Sequence, residues 1–156
     1  MLTDSMIVYA ATNLGVFAII LAVANKTRSG EISSYGGLFS YAPTLGVLMT
    51  LFLASLAGIP PLGGWIAKFV AFQSLIQSQS TWGYALAFVG AVNSVVAFGY
   101  YGNVMREIWM RPVPDSDTTL ISVPGSLKLA LVITAGATLV FGILPGVGLQ
   151  FADLAE

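Results

Sequence analysis

Residues 58–64 read Gly-Ile-Pro-Pro-Leu-Gly-Gly, and they lie in the middle of an apolar stretch that runs from 45 to 77. A continuous helix of that length would reach about 50 Å, whereas the hydrocarbon core of a bilayer is roughly 30 Å thick. Each proline removes a backbone donor and clashes with the preceding turn, so a regular helix cannot continue through this cluster. The sequence therefore predicts a helix break formed by Gly58, Pro60, Pro61, Gly63 and Gly64.

The composition indicates that the solvent of this chain is a lipid bilayer. Of 156 residues, 56% are hydrophobic and only 8% are charged, whereas about a quarter of the residues of a soluble domain are charged. The chain has no cysteine and no histidine, which excludes thiolate-bound iron–sulfur clusters, haem held by His or Cys, and the usual zinc sites. A net charge of −1 argues against nucleic acid as a partner. We therefore expect an all-α integral membrane protein with no metal site and no cofactor of its own.

The apolar stretches predict the number of membrane spans. Four of them have little or no charge and are long enough to cross a bilayer, at residues 6–24, 45–77, 82–106 and 127–144. We expect residues 1–156 to form a single membrane module of about four transmembrane helices. The second helix would be broken at 58–64, near the bilayer midplane.

The second stretch is open to two interpretations, either one broken span or a hairpin of two short spans. In the broken-span interpretation, all basic residues except Lys68 lie on one side: Lys26, Arg28, Arg106, Arg111 and Lys128. In the hairpin interpretation they divide two against three. The positive-inside rule favours the broken span, with the charged loops in the cytoplasm and the C-terminus outside.

Lys68 is the only charged residue in the interior of a predicted span. It precedes the polar turn at Ser78 by ten residues, or about 15 Å of helix, which places its backbone near the midplane. A charged lysine at that depth costs at least about 2.5–3.5 kcal/mol, so it needs a counter-charge, water or carbonyl groups. The pKa of a lysine can be moved across the working pH by its surroundings, as a proton relay requires. A permanent pair with an acidic residue of another helix is the alternative, but intramembrane ionisable residues are usually functional.

The break and three polar residues also bear on whether this chain contains a proton path. Unwound backbone at membrane depth is tolerated where it is packed in protein or lines a watery cavity, and broken helices recur in ion-coupled transporters. A passive kink is the alternative. Asn13, Asn93 and Ser94 lie inside predicted spans. Hydrogen bonding between helices is their ordinary role, and lining of a proton path is the alternative.

Several segments together resemble one family. They are Asn13–Phe17, Ile32–Leu38, Ser55–Phe69, Asn93–Val96 and Tyr100–Tyr101. In this order and spacing they resemble subunit N of bacterial NADH:quinone oxidoreductase (respiratory complex I), a member of the antiporter-like subunit family. The family usually has Phe at the position of Trp65 and Gly at that of Ala67, so the helix after the break is expected to pack somewhat differently.

The resemblance carries its own implications. Family members have fourteen spans, so the chain resembles a fragment that holds the last four, and Lys68 takes the position of the channel lysine on a broken helix. The resemblance implies that NADH, FMN, iron–sulfur clusters and quinone are bound by other subunits. It also implies that the partners are other membrane subunits and the upstream part of the same subunit, in a bacterial inner (plasma) membrane. The alternatives are a subunit of a multi-chain cation/proton antiporter and a scaffold fragment that does not pump.

Overall fold

The computed structural model describes the backbone of residues 2–143 and the side chains of residues 6–114 and 116–143. Within that range the chain is helical and forms no strand, which confirms the predicted all-α class for the described residues. The α-helices are α1 (Leu2–Thr27), α2 (Leu38–Tyr41), α3 (Pro43–Ala57), α4 (Gly63–Gln77), α5 (Thr81–Met110) and α6 (Gly125–Ile143). Short 3-10 helices form at Ile32–Tyr35 and Pro114–Ser116.

Three of the described helices are long and apolar enough to cross a membrane, namely α1, α5 and α6. The predicted stretches 6–24 and 82–106 lie inside α1 and α5, which extend a few residues further at both ends. The last predicted stretch, 127–144, lies inside α6 except for residue 144, which is outside the described residues. The helices α3 and α4 have 15 residues each, or about 23 Å, so neither alone matches the thickness of a hydrocarbon core.

The chain between α3 and α4 is shorter than the predicted break. The prediction covered residues 58–64, but the helical residues resume at Gly63, so only residues 58–62 separate the two helices. Within this segment Leu62 is extended, with φ −84° and ψ 156°, and the Pro60–Pro61 peptide bond is cis. Gly63 and Gly64 form the first turn of α4, after the two prolines that interrupt the helix.

Helix α1 forms the centre of the bundle. Buried residues recur along it every three or four positions, among them Val8, Thr12, Val16, Ile19 and Val23. This face contacts α3, α4 and α6. The opposite face carries large apolar side chains that are exposed, among them Phe17 and Leu21. A helix that is apolar all round is typical of a membrane protein.

The course of α3 and α4 along α1 follows from three contacts. Lys26, near the end of α1, lies 3.9 Å above the ring of Tyr41 in α2. Further back along α1, the ring of Phe52 of α3 packs on Gly15 so closely that a Cβ there would overlap it. Closer still to the start of α1, Val8 contacts Gly63 of α4. Residues 41–63 therefore advance along α1 in the antiparallel direction.

Helix α5 lies beside both α3 and α4. Near its end, the Trp109 indole N–H donates to the Thr50 hydroxyl at 2.8 Å, and Trp109 stacks on Phe39 with ring centroids 4.3 Å apart. Near its start, Gly90 faces the ring of Phe72 in α4. The C-terminal end of α5 is thus beside α3, whereas its N-terminal half is beside α4.

The segments that connect α1 to α2 and α5 to α6 gather at one end of the bundle. The Gly37 N–H donates to the carbonyl of Glu107 at 3.1 Å. The Lys26 ammonium donates to the carbonyls of Asp117, at 3.0 Å, and Thr119, and it forms a salt bridge with the Asp117 carboxylate at 3.8 Å. We call this the charged end, since it carries the basic residues that the sequence analysis assigned to one side.

Candidate functional site

Helix α3 ends with a residue in the left-handed region. Gly58 has a φ of +87°, which residues with a Cβ rarely adopt. Its N–H donates to the carbonyl of Ser55 at 2.9 Å, and the N–H of Ile59 donates to the carbonyl of Ala54 at 3.0 Å. This is a Schellman motif, which satisfies two of the carbonyls at the end of the helix. The carbonyl of Ala57 takes no part in it.

The side chain of Lys68 supplies the partner of that carbonyl. Lys68 lies in the second turn of α4, and its ammonium reaches back across the break and donates to the carbonyl of Ala57 at 3.1 Å. Its stem passes over Gly58, where an added Cβ would lie 3.1 Å from the Cδ of Lys68. The residue is half-buried. A cation at the C-terminal end of a helix also faces the negative end of the helix dipole.

A side chain of α3 also stabilises the start of α4. No side chain from the residue before α4 caps it. Instead the N–H of Gly64 donates to the hydroxyl of Ser55 at 3.0 Å. Ser55 is fully buried in the last turns of α3. One hydrogen bond therefore runs from the start of α4 to α3, and a second runs from Lys68 to the end of α3, so the two helix ends brace each other.

Close packing explains why two glycines begin α4. A Cβ on Gly64 would overlap the carbonyl of Ser55, and a Cβ on Gly63 would overlap Val8 of α1. Gly142 of α6 packs on the same segment, where a Cβ would collide with the carbonyl of Pro61. Helices in lipid approach each other through small residues, because little else drives their association there.

A pair of threonines lies beside the start of α4, and the sequence analysis did not single it out. The hydroxyls of Thr12 in α1 and Thr138 in α6 are 3.0 Å apart, and both residues are fully buried. Each hydroxyl also bonds the carbonyl four residues earlier in its own helix. The carbonyl of Thr138 lies 3.2 Å from the position that a Cβ on Gly63 would take. In sequence, the only signal for this pair is a hydroxyl residue within an otherwise apolar helix.

Ser55 is the third residue, after Thr12 and Thr138, that was not assigned to the site from the sequence. It appears in the sequence only as a small polar residue three positions before Gly58. A signal exists in the sequence, because Leu62, the residue before α4, has no side-chain acceptor, so the first N–H groups of the helix need an acceptor from elsewhere. Which residue supplies that acceptor depends on how α3 and α4 pack.

In the described part of the chain, none of the three predicted polar residues forms a hydrogen bond with Lys68. The amide nitrogen of Asn13 donates to the carbonyl of Tyr9 in its own helix at 2.8 Å. Asn93 is exposed on α5, and Ser94 is half-buried there. Among the described residues, no hydrogen bond joins any of them to Lys68 or to another helix.

Among residues 6–114 and 116–143, no acidic side chain forms a salt bridge with Lys68. The salt bridges found there join Lys26 to Asp117 and Arg111 to Glu107, both at the charged end. Among the side chains of residues 6–114 and 116–143, no group of three or more His, Cys, Asp or Glu is placed to hold a metal ion. The ammonium of Lys68 is thus paired, in this part of the protein, with a neutral carbonyl.

The charged end has its own electrostatics. Hydrogen bonds from the hydroxyl and the N–H of Thr119 lower the pKa of the Asp117 carboxyl, and Lys26 adds to the effect. Burial raises the pKa of the Tyr41 phenol, and the negative charge of Asp117 raises it further. Burial likewise raises the pKa of Tyr35. Asp117 therefore carries its negative charge at neutral pH, next to Lys26.

These features define the class of the protein, an α-helical integral membrane protein. A lipid bilayer as the surrounding solvent explains the long apolar helices, the exposed apolar faces and the all-helical fold of the described residues. Comparison with known protein families identifies the family within this class. The family described as "NADH:quinone oxidoreductase/Mrp antiporter, TM" matches residues 2–94, and the chain belongs to it.

The chain is similar to curated proteins named NADH-quinone oxidoreductase subunit N. It is 39% identical to the one from Dehalococcoides mccartyi over 150 residues, which cover 96% of this chain and 30% of that protein. It is 38% identical to the one from Heliobacterium modesticaldum over 147 residues, which cover 94% of this chain and 30% of that protein. The chain thus spans about 30% of the length of these relatives.

A solved structure has the same fold. The chain is similar to one chain of respiratory complex I from Thermus thermophilus, solved with bound aureothin, with a TM-score of 0.69 and 25% sequence identity. The match covers 92% of this chain and 33% of that one.

Proposed function

We propose that this chain is part of a proton-translocating membrane subunit of an NADH:quinone oxidoreductase, in which Lys68 acts as the channel lysine on a broken helix. The observation that carries the proposal is the contact of the Lys68 ammonium with the carbonyl of Ala57, across the break between α3 and α4. Family membership supports the class of activity, because the matched relatives are named as subunits of that enzyme.

In this proposal α3 and α4 form one membrane span rather than a hairpin. Helix α5 has 30 residues and is therefore about 45 Å long. Its residue Trp109 contacts Thr50 of α3, whereas Gly90 contacts Phe72 of α4. In a hairpin, the end of α4 would return to the start of α3, and one end of α5 would be close to both. Instead, the C-terminal end of α5 contacts α3 and its N-terminal half contacts α4. This arrangement supports a single span that is interrupted at residues 58–62.

The chemistry of the lysine follows from its partner. A carbonyl oxygen accepts a hydrogen bond but does not take up a proton under physiological conditions, so the contact with Ala57 stabilises the charged ammonium without discharging it. Lys68 passes its proton on when its side chain leaves Ala57 and reaches a base or water. We place that acceptor on the larger part of the subunit, since relatives are about three times as long as this chain.

The redox chemistry belongs to other subunits in this proposal. NADH, FMN, iron–sulfur clusters and quinone are bound elsewhere in the complex, and this chain contributes the ion path. The partners are then other membrane subunits and the upstream part of the same subunit. We place the protein in a bacterial plasma membrane, with the charged end in the cytoplasm. The predicted position of the C-terminus outside concerns residues beyond those described.

A multi-chain cation/proton antiporter is the second candidate, because the family description names both kinds of protein. The names of the matched relatives favour the oxidoreductase. Affinity purification of the full-length subunit from its native membrane separates the two. Co-purification of NADH:quinone oxidoreductase activity supports the first candidate, and a preparation with cation/proton exchange but no NADH oxidation would contradict it.

Replacement of Lys68 by alanine in the assembled complex tests the proposal. With NADH as the electron donor, we expect Lys68→Ala to lower the rate of proton translocation by inverted membrane vesicles at least tenfold while the complex still assembles. Arg28→Ala removes a positive charge from an exposed position near the charged end and should leave translocation unchanged. Wild-type translocation in Lys68→Ala would show that the lysine is not part of the path.

A further inference from the structure

A cavity separate from the Lys68 site opens at the charged end. It lies between α3, α6 and the segment that precedes α6, and its volume is about 420 Å³, within the range of small-molecule sites. Apolar side chains form most of its wall: Leu45, Leu48, Leu120, Ile121, Val123, Leu131 and Val132.

The polar groups of the cavity are few, and two of them can bind an anion. Lys128 lines the cavity, is exposed, and forms no salt bridge with the described residues. Thr44, which carries a hydroxyl, is an exposed residue in the first turn of α3. The N–H groups of Thr44 and Leu45 follow Pro43 at the start of that helix, where backbone donors have no acceptor within the helix. An apolar cavity with a cation at its rim is suited to an amphipathic anion.

We propose that this cavity binds an anionic phospholipid, with an acyl chain against the apolar wall and the phosphate beside Lys128. The protein belongs to a membrane family, and the basic residues gathered at the charged end are typical of the headgroup level of a bilayer. A neutral quinone would leave Lys128 without a counter-charge. A helix of a partner protein would not fit, since an α-helix is about 10 Å across and the cavity is small. The proposal does not depend on proton translocation.

Lipid quenching in the intact complex tests this proposal. The complex is reconstituted into phosphatidylcholine vesicles, with a bimane label on a cysteine introduced by Val132→Cys, an exposed position in the cavity wall. Brominated phosphatidylglycerol or brominated phosphatidylcholine is then added in increasing proportion. We expect brominated phosphatidylglycerol to quench the bimane fluorescence at a mole fraction about fivefold lower than brominated phosphatidylcholine needs. A preference of about fivefold is what one lysine beside an anionic headgroup provides.

The controls separate a site from general attraction to the membrane surface. Lys128→Gln should abolish the preference, whereas Arg106→Gln, which removes an exposed charge outside the cavity, should retain it. A label introduced by Val140→Cys, exposed on α6 but outside the cavity wall, should show no preference. Equal quenching by the two lipids at Val132→Cys, or a preference that survives Lys128→Gln, would overturn the proposal. So would the absence of quenching, which would mean that protein fills the cavity.

Discussion

The ammonium of Lys68 donates a hydrogen bond to the carbonyl of Ala57, 3.1 Å away across the break between α3 and α4. The Schellman motif at Gly58 already occupies the carbonyls of Ala54 and Ser55, so the lysine completes the end of α3. If the ammonium moves away, the Ala57 carbonyl loses this hydrogen-bond donor, and in the proposed membrane-spanning arrangement an unpaired carbonyl is costly. We infer that movement of the lysine and the geometry of the break are energetically linked.

The hydroxyl of Ser55 is the other half of this brace, and its removal should disturb Lys68 indirectly. Ser55→Ala leaves the buried N–H of Gly64 without its acceptor, at a cost of about 1–3 kcal/mol. We expect an assembled complex with slower proton translocation and an altered pH profile of that rate. The pH profile is informative because a purely structural defect would scale the rate equally at every pH.

Two further variants complete the Ser55 test. Ser74→Ala, on the exposed face of α4, removes a hydroxyl that bonds only its own helix and should have no effect. Ser55→Cys keeps a similar volume with a weaker acceptor, so its translocation rate should lie between those of wild type and Ser55→Ala. If Ser55→Ala pumps like wild type across the pH range, the brace has no role in the proton path.

Gly64 should tolerate no side chain. A Cβ at this position would overlap the backbone carbonyl of Ser55, which cannot move without a shift of α3. We expect Gly64→Ala to prevent assembly of the complex or to lower its melting temperature by several degrees. At Gly99 of α5 a Cβ meets no atom of the described residues within 4 Å. Gly99→Ala should therefore leave stability within about 1 kcal/mol of wild type. Equal melting temperatures for the two variants would contradict the packing of α4 on α3.

The break was predictable because proline and glycine act locally. Two prolines remove backbone donors wherever they occur in an apolar stretch, so the sequence alone shows that a helix cannot pass residues 60 and 61. The residue at which α4 begins after the break was less predictable. Gly63 and Gly64 have poor helix propensity, but they begin α4 because their lack of a side chain allows contact with Ser55 and Val8. That benefit comes from tertiary packing, which a local pattern does not contain.

The partner of Lys68 was only partly predictable. A charged lysine in a predicted span needs water, a counter-charge or carbonyl groups, because an unpaired charge there is costly. In the structure the partner is a carbonyl. That it belongs to Ala57, eleven positions earlier, depends on the path of the chain through the break. Asn13 illustrates the opposite case, since its amide bonds the nearest carbonyl of its own helix. A polar residue in a span is easy to find in sequence, but its partner is not.

The topology is open to cysteine labelling. If α3 and α4 form one span, Gln79 after α4 lies on the side of the membrane opposite to the charged end. Ser33 and Ser122, both exposed in connecting segments of the charged end, offer positions for labelling there; Ser34, beside Ser33, is buried and unsuitable. We expect a membrane-impermeant maleimide to label Ser33→Cys and Ser122→Cys from the cytoplasmic side only, and Gln79→Cys from the outer side only. Labelling of Ser33→Cys and Gln79→Cys from one side, with Ser122→Cys labelled from the other, would restore the hairpin.

The chemical character required at Lys68 can be read from the rank order of three substitutions in the assembled complex. For a proton carrier, Lys68→Ala lowers proton translocation, and Lys68→Arg does not rescue it, because arginine stays protonated at working pH and cannot pass a proton on. Lys68→Glu retains part of the activity, because a carboxyl group can also bind and release a proton. All three complexes should assemble, as judged by the amount of complex in the membrane.

A purely structural lysine predicts a different order in the same measurements. If the ammonium served only to cap the carbonyl of Ala57, arginine would replace it well, since its guanidinium also donates hydrogen bonds. Lys68→Glu would be the worst variant, because it would place a negative charge against a carbonyl at the negative end of a helix dipole. The comparison between Arg and Glu is therefore decisive. Wild-type translocation in Lys68→Arg, together with failure of Lys68→Glu to assemble, would make Lys68 a structural cap and contradict its role as a proton carrier.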